Sequence, residues 1–209
     1  MMKIDRIIEV MNDMFPDAKA ELTHDNAFEL LVAVVLSAQT TDKAVNLVTP
    51  ILFDKYPTPE LLMNADYSEV CDVLKTIGLY KNKAKFIIAL AKDLVLLHNG
   101  EVPNDRTKLE ALPGVGRKTA NVVLSNAFNV PAIAVDTHVA RISVRLGLAK
   151  KDDNVLEIEQ KLMRKLPKDK WMKMHHQMIF FGRYHCLAKK PKCSDCPLKD
   201  ICKYEQKNI

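Results

Sequence analysis

Eight segments of this chain carry apolar residues at intervals of three and four, and no comparable stretch alternates apolar with polar. That regularity restricts the fold more than any other feature, because a helix repeats every 3.6 residues and a half-buried strand every two. The segments are IDRIIEVMNDMF (4–15), NAFELLVAVVLSA (26–38), LLMNADYSEVCDVLKTI (61–77), AKFIIALAKDLVLLHN (84–99), TANVVLSNAF (119–128), THVARISVRLGL (137–148), VLEIEQKLMRKL (155–166) and KWMKMHHQMIFFGRYH (170–185). The one strand-like run, VPAIAV (130–135), is short and follows a helix end at Asn129 and Pro131. The chain is therefore expected to be all-α. Turn signals at YPTPE, EVPNDRTK and RKLPKDK give short connections of the kind that let neighbouring helices pack. Pro50 is expected to kink or divide the helix in VNLVTPILFDKY.

With 209 residues and 48% hydrophobic content, the chain has material for one sizeable domain or two small ones sharing an interface. Charges at Asp5, Arg6 and Glu9 interrupt the first residues before a signal peptide could form, and no apolar run approaches about 18 residues. A soluble intracellular protein with no membrane association is expected. The net charge is only +5, but it is concentrated: residues 161–192 hold ten basic residues against Asp169 alone. Such asymmetry suits a polyanionic partner better than an ordinary solvated helix face.

LEALPGVGRKTANVVLSNAF reads as a short helix, a turn at Pro113-Gly114-Val115-Gly116, and a second helix. The turn amides and the first turn of the following helix make a concave donor cluster for a phosphate oxygen, which binds backbone rather than base sequence. A nucleotide-binding P-loop is excluded, since Arg117 separates Gly116 from Lys118 and a helix, not a strand, precedes the turn. A purely structural turn remains open, as does a phosphate-binding role for Lys118 beside a nucleophilic one.

Four of the five cysteines make C-x6-C-x2-C-x5-C, at Cys186, Cys193, Cys196 and Cys202. In a reducing compartment four thiols so close bind metal rather than pair as disulfides. Zinc and an iron-sulfur cluster both accept four thiolates; only Cys193 and Cys196 form a knuckle, which leans slightly to iron-sulfur. Cys71 reads as a small core residue. His175 and His176 are adjacent, expected on different helix faces, and read as interface polar groups rather than ligands.

LPGVGRKTANVVL, then VDTHVARISVRLGL, then CLAKKPKCSDCPLKDIC, in that order and at those separations, resemble the endonuclease III family of helix-hairpin-helix DNA glycosylases and lyases. The resemblance runs from FELLVAVVLSAQTTD to Cys202. It implies a two-lobed fold: a six-helix barrel over 22–132, with the hairpin motif at about 107–128, and a discontinuous cluster lobe from 1–21 and 133–209. It implies one [4Fe-4S] cluster on Cys186, Cys193, Cys196 and Cys202. It also implies a partner, duplex DNA containing damaged bases or abasic sites, and an activity. Oxidised or ring-saturated pyrimidines are removed and the strand is cut 3′ to the abasic site. An adenine-mismatch glycosylase and a non-catalytic DNA-binding module are the alternatives. The first fits poorly, because that relative lacks the hairpin lysine and has a glutamate in the helix where this chain shows LLVAVVLSAQ.

In the family's pattern Lys118 is the nucleophile. A neutral amine attacks C1′ and then forms an imine, whereas an activated water only hydrolyses. Burial in a cleft, the helix N-terminus and Arg117 are each expected to lower its pKa. Asp136 matches the catalytic aspartate, while its position before THVARISVRL reads equally as a helix cap. His138 extends that motif as a hydrogen-bonding partner. Gln39 and Leu79 match the residues that plug the gap and wedge the opposite strand when a base is flipped out, although each reads alone as an ordinary polar or apolar residue. Gly114, Val115, Gly116 and Arg117 are expected to meet DNA at the hairpin. Lys189, Lys190 and Lys192, inside the cysteine loop, form an array of three cations for the backbone. The absence of targeting extensions suggests a prokaryotic cytoplasm, and a monomer is the expectation for a compact DNA scanner.

Overall fold

A computed structural model describes residues 3–207. The chain divides into two compact units, Glu21–Val130 and the pair of segments Met1–Ala20 with Pro131–Ile209. Among the described residues every regular element is helical.

The unit Glu21–Val130 holds α2 (Ala27–Leu36), α3 (Asp42–Lys55), α4 (Pro59–Met63), α5 (Tyr67–Leu74), α6 (Tyr80–His98), α7 (Arg106–Glu110) and α8 (Arg117–Phe128). Its centre is α2, buried from Leu30 through Leu36. A helix apolar on every side must be enclosed, and α3, α6 and α8 pack around it. VPAIAV forms no strand; Ala132 to Val135 are buried as irregular backbone at the start of the second unit.

Helix continuity differs from the sequence pattern at two places. LLMNADYSEVCDVLKTI is not one helix: α4 ends where Asn64 Nδ2 donates to Glu60 O at 2.8 Å, and Asp66 starts α5 by accepting from Ser68 N at 2.8 Å and Glu69 N at 3.2 Å. Cap chemistry at Asn64 and Asp66 outweighs the apolar period that runs on through them. Pro50, conversely, leaves α3 undivided. Val45, Val48, Thr49 and Leu52 are buried while Pro50 is exposed, so packing of the opposite face carries the helix past the missing amide.

The other unit holds α1 (Lys3–Met14), α9 (Thr137–Arg145), α10 (Val155–Lys165) and α11 (Trp171–Phe180). Ile7, Met11, Val139, Ile142, Leu162, Met174 and Phe181 make its core. The segment KWMKMHHQMIFFGRYH is more varied than its periodicity suggests. A 3-10 turn at Lys168–Lys170 precedes α11, and a π-helical turn at Phe181–His185 follows it. The wide turn closes through Cys186 N donating to Phe181 O at 2.7 Å and delivers Cys186 to the cysteine loop.

Candidate functional site

The hairpin is wound by short backbone bonds, Leu112 N to Leu109 O and Val115 N to Leu112 O, each 3.1 Å. Leu109, Leu112 and Val115 are buried and anchor it. Val115 thus offers an outside partner its backbone, not its side chain. Gly114 sits at φ +76, and a Cβ there would lie 3.1 Å from Phe86 Cβ and 3.2 Å from Val35 Cγ1. Both conformation and space demand glycine at that position. Gly116 begins α8, is exposed, and would bring an added Cβ within 4 Å of nothing.

Helix starts in this unit divide into two kinds. Asn26, Thr41, Thr58, Asp66 and Asp105 cap α2, α3, α4, α5 and α7 with their side chains. The two helices without such a cap, α6 and α8, start at Leu79 and Gly116. An uncapped start presents an amide edge and the positive end of the helix dipole outward, which suits an anionic ligand.

Lys118 stands exposed in the first turn of α8. The expected burial is therefore absent: Lys118 stands in solvent beside Arg117 at the start of α8. Arg117 is half-buried and reaches back to α7, Nη1 to Glu110 Oε1 at 3.7 Å, so Glu110 offsets part of its charge. Gln39 and Leu79 are both exposed and both left-handed, at φ 54 and φ 59. Neither is glycine, and a bulky residue held there marks a turn whose surroundings over-determine it.

In the other unit Asp136 caps α9: Oδ1 accepts from Val139 N at 2.7 Å. The capping expectation holds, and Oδ2 is left for a second role. His138 Nδ1 lies 3.1 Å from Arg141 Nη2, which donates to Gly182 O at 2.8 Å. Burial lowers the His138 pKa, with Arg141 and Arg183 acting the same way, while the Asp136 carboxylate opposes them. The π-helical turn approaches α9 closely, since a Cβ at Gly182 would fall 2.9 Å from His138 Cβ. The rings of the adjacent His175 and His176 meet edge to face at 4.9 Å, with His175 buried and His176 half-buried.

Cys186, Cys193, Cys196 and Cys202 are free, half-buried thiols around one cavity that Ile142, Leu146 and Phe181 also line. Among the described residues no three His, Cys, Asp or Glu side chains gather as for a single ion, so the thiols share the cavity without meeting at a point. Sequence reasoning missed Arg145, which organises this loop. The residue is 7% exposed, and its guanidinium donates to Cys186 Sγ at 3.2 Å, Leu187 O at 2.7 Å and Ala188 O at 3.1 Å, with the Tyr204 ring 3.9 Å away. Lys203 N donates to Arg145 O at 2.7 Å, and Tyr204 N to Cys202 Sγ at 3.4 Å. Two arginines four apart on one helix, Arg141 and Arg145, beside the buried Val139 and Ile142, were the available signal. Burial pushes the Cys186 and Cys196 thiols up, against which Arg145 acts at Cys186. Spaced thiols given N–H donors at sulfur fit an iron-sulfur cluster, whose iron would hold them deprotonated. Lys189, Lys190 and Lys192 stand exposed on the loop, Lys190 at φ 50.

A glycine hairpin with an uncapped helix behind it, and a four-cysteine loop, define the class, which the comparisons confirm. Residues 32–168 match the HhH-GPD superfamily of base excision DNA repair proteins, and residues 186–202 match the iron-sulfur binding domain of endonuclease III. Endonuclease III of Bacillus subtilis (strain 168) is 55% identical over 98% of this chain and 94% of its own. That of Escherichia coli (strain K12) is 46% identical over 96% and 95%. The solved structure of a trapped endonuclease III-DNA covalent intermediate is 55% identical, with TM-score 0.93 over 97% of each chain. A thermostable thymine-DNA glycosylase, 23% identical at TM-score 0.87, shares the fold. The chain belongs to the endonuclease III family. It is a base-excision repair DNA glycosylase and abasic-site lyase with an iron-sulfur domain.

Proposed function

We propose that this enzyme removes oxidised or ring-saturated pyrimidines from duplex DNA through the Lys118 amine and then cuts the strand 3′ to the site. The observation that carries this is Lys118 itself: an exposed amine on the first turn of an uncapped helix, directly after the glycine hairpin. The amides hold a phosphate beside the sugar that the amine attacks. The N–C1′ bond forms as the bond from C1′ to the base breaks, and the base leaves with a proton. The adduct opens to a protonated Schiff base. Loss of a C2′ proton then expels the 3′ phosphate oxygen, and water releases the lysine from the unsaturated sugar. A relative named for a covalent DNA intermediate, alike over nearly the whole chain, supports an amine rather than a water as nucleophile.

Asp136, while its Oδ1 caps α9, offers its other oxygen to the positive charge developing on the sugar, and His138 is oriented by Arg141 beside it. Gln39 and Leu79 fill the gap left by the flipped base and part the opposite strand; their exposure and left-handed turns support that reading. Gly114, Val115, Gly116 and Arg117 seat the backbone, and Lys189, Lys190 and Lys192 bind further phosphates. The unit Glu21–Val130 serves as the helical barrel lobe. The other unit is the cluster lobe, in which Cys186, Cys193, Cys196 and Cys202 hold one [4Fe-4S] cluster. These thiolates would hold the cluster, which would fix the loop bearing Lys189, Lys190 and Lys192. No described helix is long and apolar enough to cross a membrane, and the relatives are bacterial. The bacterial relatives support a location in a bacterial cytoplasm, and a monomer is the form taken for this reading.

Lys118→Gln tests the reading. It should abolish strand cleavage and borohydride trapping while DNA affinity stays within about tenfold, since one phosphate-range interaction is worth roughly 1.4 kcal/mol. Undiminished trapping by the variant would refute the assignment.

A further inference from the structure

Lys83 is the one lysine among the described residues that is buried, at 3% exposure. It lies one helical turn past Leu79 on α6, and its Nζ donates to Thr40 Oγ1 at 2.6 Å, across 43 residues of chain. Thr40 follows Gln39 directly, and Thr40 N donates to Ser37 O at 3.0 Å. Gly78, just before Leu79, faces the same place: a Cβ there would sit 3.9 Å from both Gln39 O and Thr40 Oγ1. The turn bearing Gln39 and the turn bearing Leu79 therefore meet along one seam, and the ammonium-hydroxyl bond closes it.

Both turns hold a non-glycine residue in the left-handed region, which persists only where neighbours over-determine it. Among the described residues no carboxylate pairs with Lys83; its partner is a neutral hydroxyl, and burial draws its pKa down. A buried cation with so little compensation costs stability. A side chain that burdens the fold at the junction of two exposed turns is explained by what those turns do.

We propose that Lys83 is a positioning residue for base opening, its bond to Thr40 locking the Gln39 and Leu79 turns into one rigid wedge. This rests on the reading that both residues enter the duplex. A wedge whose halves move independently fills the vacated space less well, so more of the opening cost stays in the barrier.

The test is single-turnover excision of one damaged pyrimidine from two duplexes, one fully paired and one with the lesion in a short unpaired bubble, where opening costs little. Lys83→Met and Thr40→Val should each lose about tenfold on the paired duplex and at most about twofold on the bubble. Thr40→Ser, which keeps the hydroxyl, should recover most of what Thr40→Val loses. The double variant should be no slower than the slower single. The thermal midpoint of Lys83→Met should equal or exceed that of the parent, which a merely structural lysine would not allow. Equal loss on both duplexes, or a lowered midpoint for Lys83→Met, overturns the proposal. Gln39→Ala and Leu79→Ala are measured alongside. If they show pairing-dependent loss while Lys83→Met and Thr40→Val do not, the proposal alone falls; if they show none, the wedge reading falls and takes the proposal with it.

Discussion

On the proposed reading Asp136 has two duties, cap and charge stabiliser, that substitution can separate. Its Oδ1 accepts from Val139 N at 2.7 Å and caps the nine-residue α9. Asparagine keeps that acceptor, whereas alanine removes it at a cost of about 1 kcal/mol. For a chain of this length such a loss lowers the thermal midpoint by roughly 2–4 °C. Asp136→Ala should show that drop and Asp136→Asn should not. Chemistry follows the other pattern, because both variants lose the negative charge. Each should slow base release by at least about a hundredfold, or about 2.7 kcal/mol of transition-state stabilisation. Single-turnover release of a damaged pyrimidine, paired with calorimetry of the same samples, reads both quantities. A further sign comes from His138, whose pKa the Asp136 charge raises against burial. In Asp136→Asn that opposition is gone, and the imidazole should titrate at lower pH by NMR. If Asp136→Asn releases base within about threefold of the parent rate, or loses as much stability as Asp136→Ala, Asp136 is a cap and nothing more.

Gly114→Ala combines a positive φ with approaches of 3.1 and 3.2 Å to Phe86 and Val35, and should cost about 1–3 kcal/mol in thermal or denaturant unfolding. Gly116→Ala meets open space, so it should leave stability unchanged and weaken DNA binding, as read by anisotropy titration. Burial brings the His176 pKa down to about 4, below its ordinary 6.5. The unfolded state then binds the extra proton first, so stability is full above pH 6.5 and is lost as pH falls toward 4, by up to roughly 3 kcal/mol. His176→Gln should flatten that part of the midpoint-against-pH curve. Replacing Lys189, Lys190 and Lys192 with alanine should weaken binding to damaged and intact duplex alike, and reduce the log-log salt slope by about 0.9 for each phosphate that these lysines neutralise.

Local patterns were legible in the sequence where a few adjacent residues suffice to make the feature. The hairpin from Leu112 to Gly116, the Asp136 cap and the cysteine spacing are of this kind. What escaped depends on partners distant in the chain or on which way a group faces. The break at Asn64 to Asp66 is hidden because the apolar period runs through it. Pro50 is tolerated only because its missing amide lies on the exposed side of α3. No residue type announces a π-helical turn, so the delivery of Cys186 was not foreseeable. Lys83 in YKNKAKF reads as a surface charge until Thr40 is brought to it from 43 residues away. Lys118 shows the opposite error: a nucleophilic role suggested burial, whereas the residue stands exposed in the first turn of α8.

The central claim, that the Lys118 amine bonds to C1′, is tested most directly by locating the covalent bond. The enzyme is mixed with duplex DNA holding one damaged pyrimidine, reduced with borohydride, digested with trypsin and nuclease, and its peptides are sequenced by mass spectrometry. The account predicts a single sugar remnant on Lys118, with tryptic cleavage blocked between Lys118 and Thr119 so that the modified peptide continues into TANVVLSNAF. A remnant on the N-terminal amine or on any other lysine, with Lys118 unmodified, would contradict it.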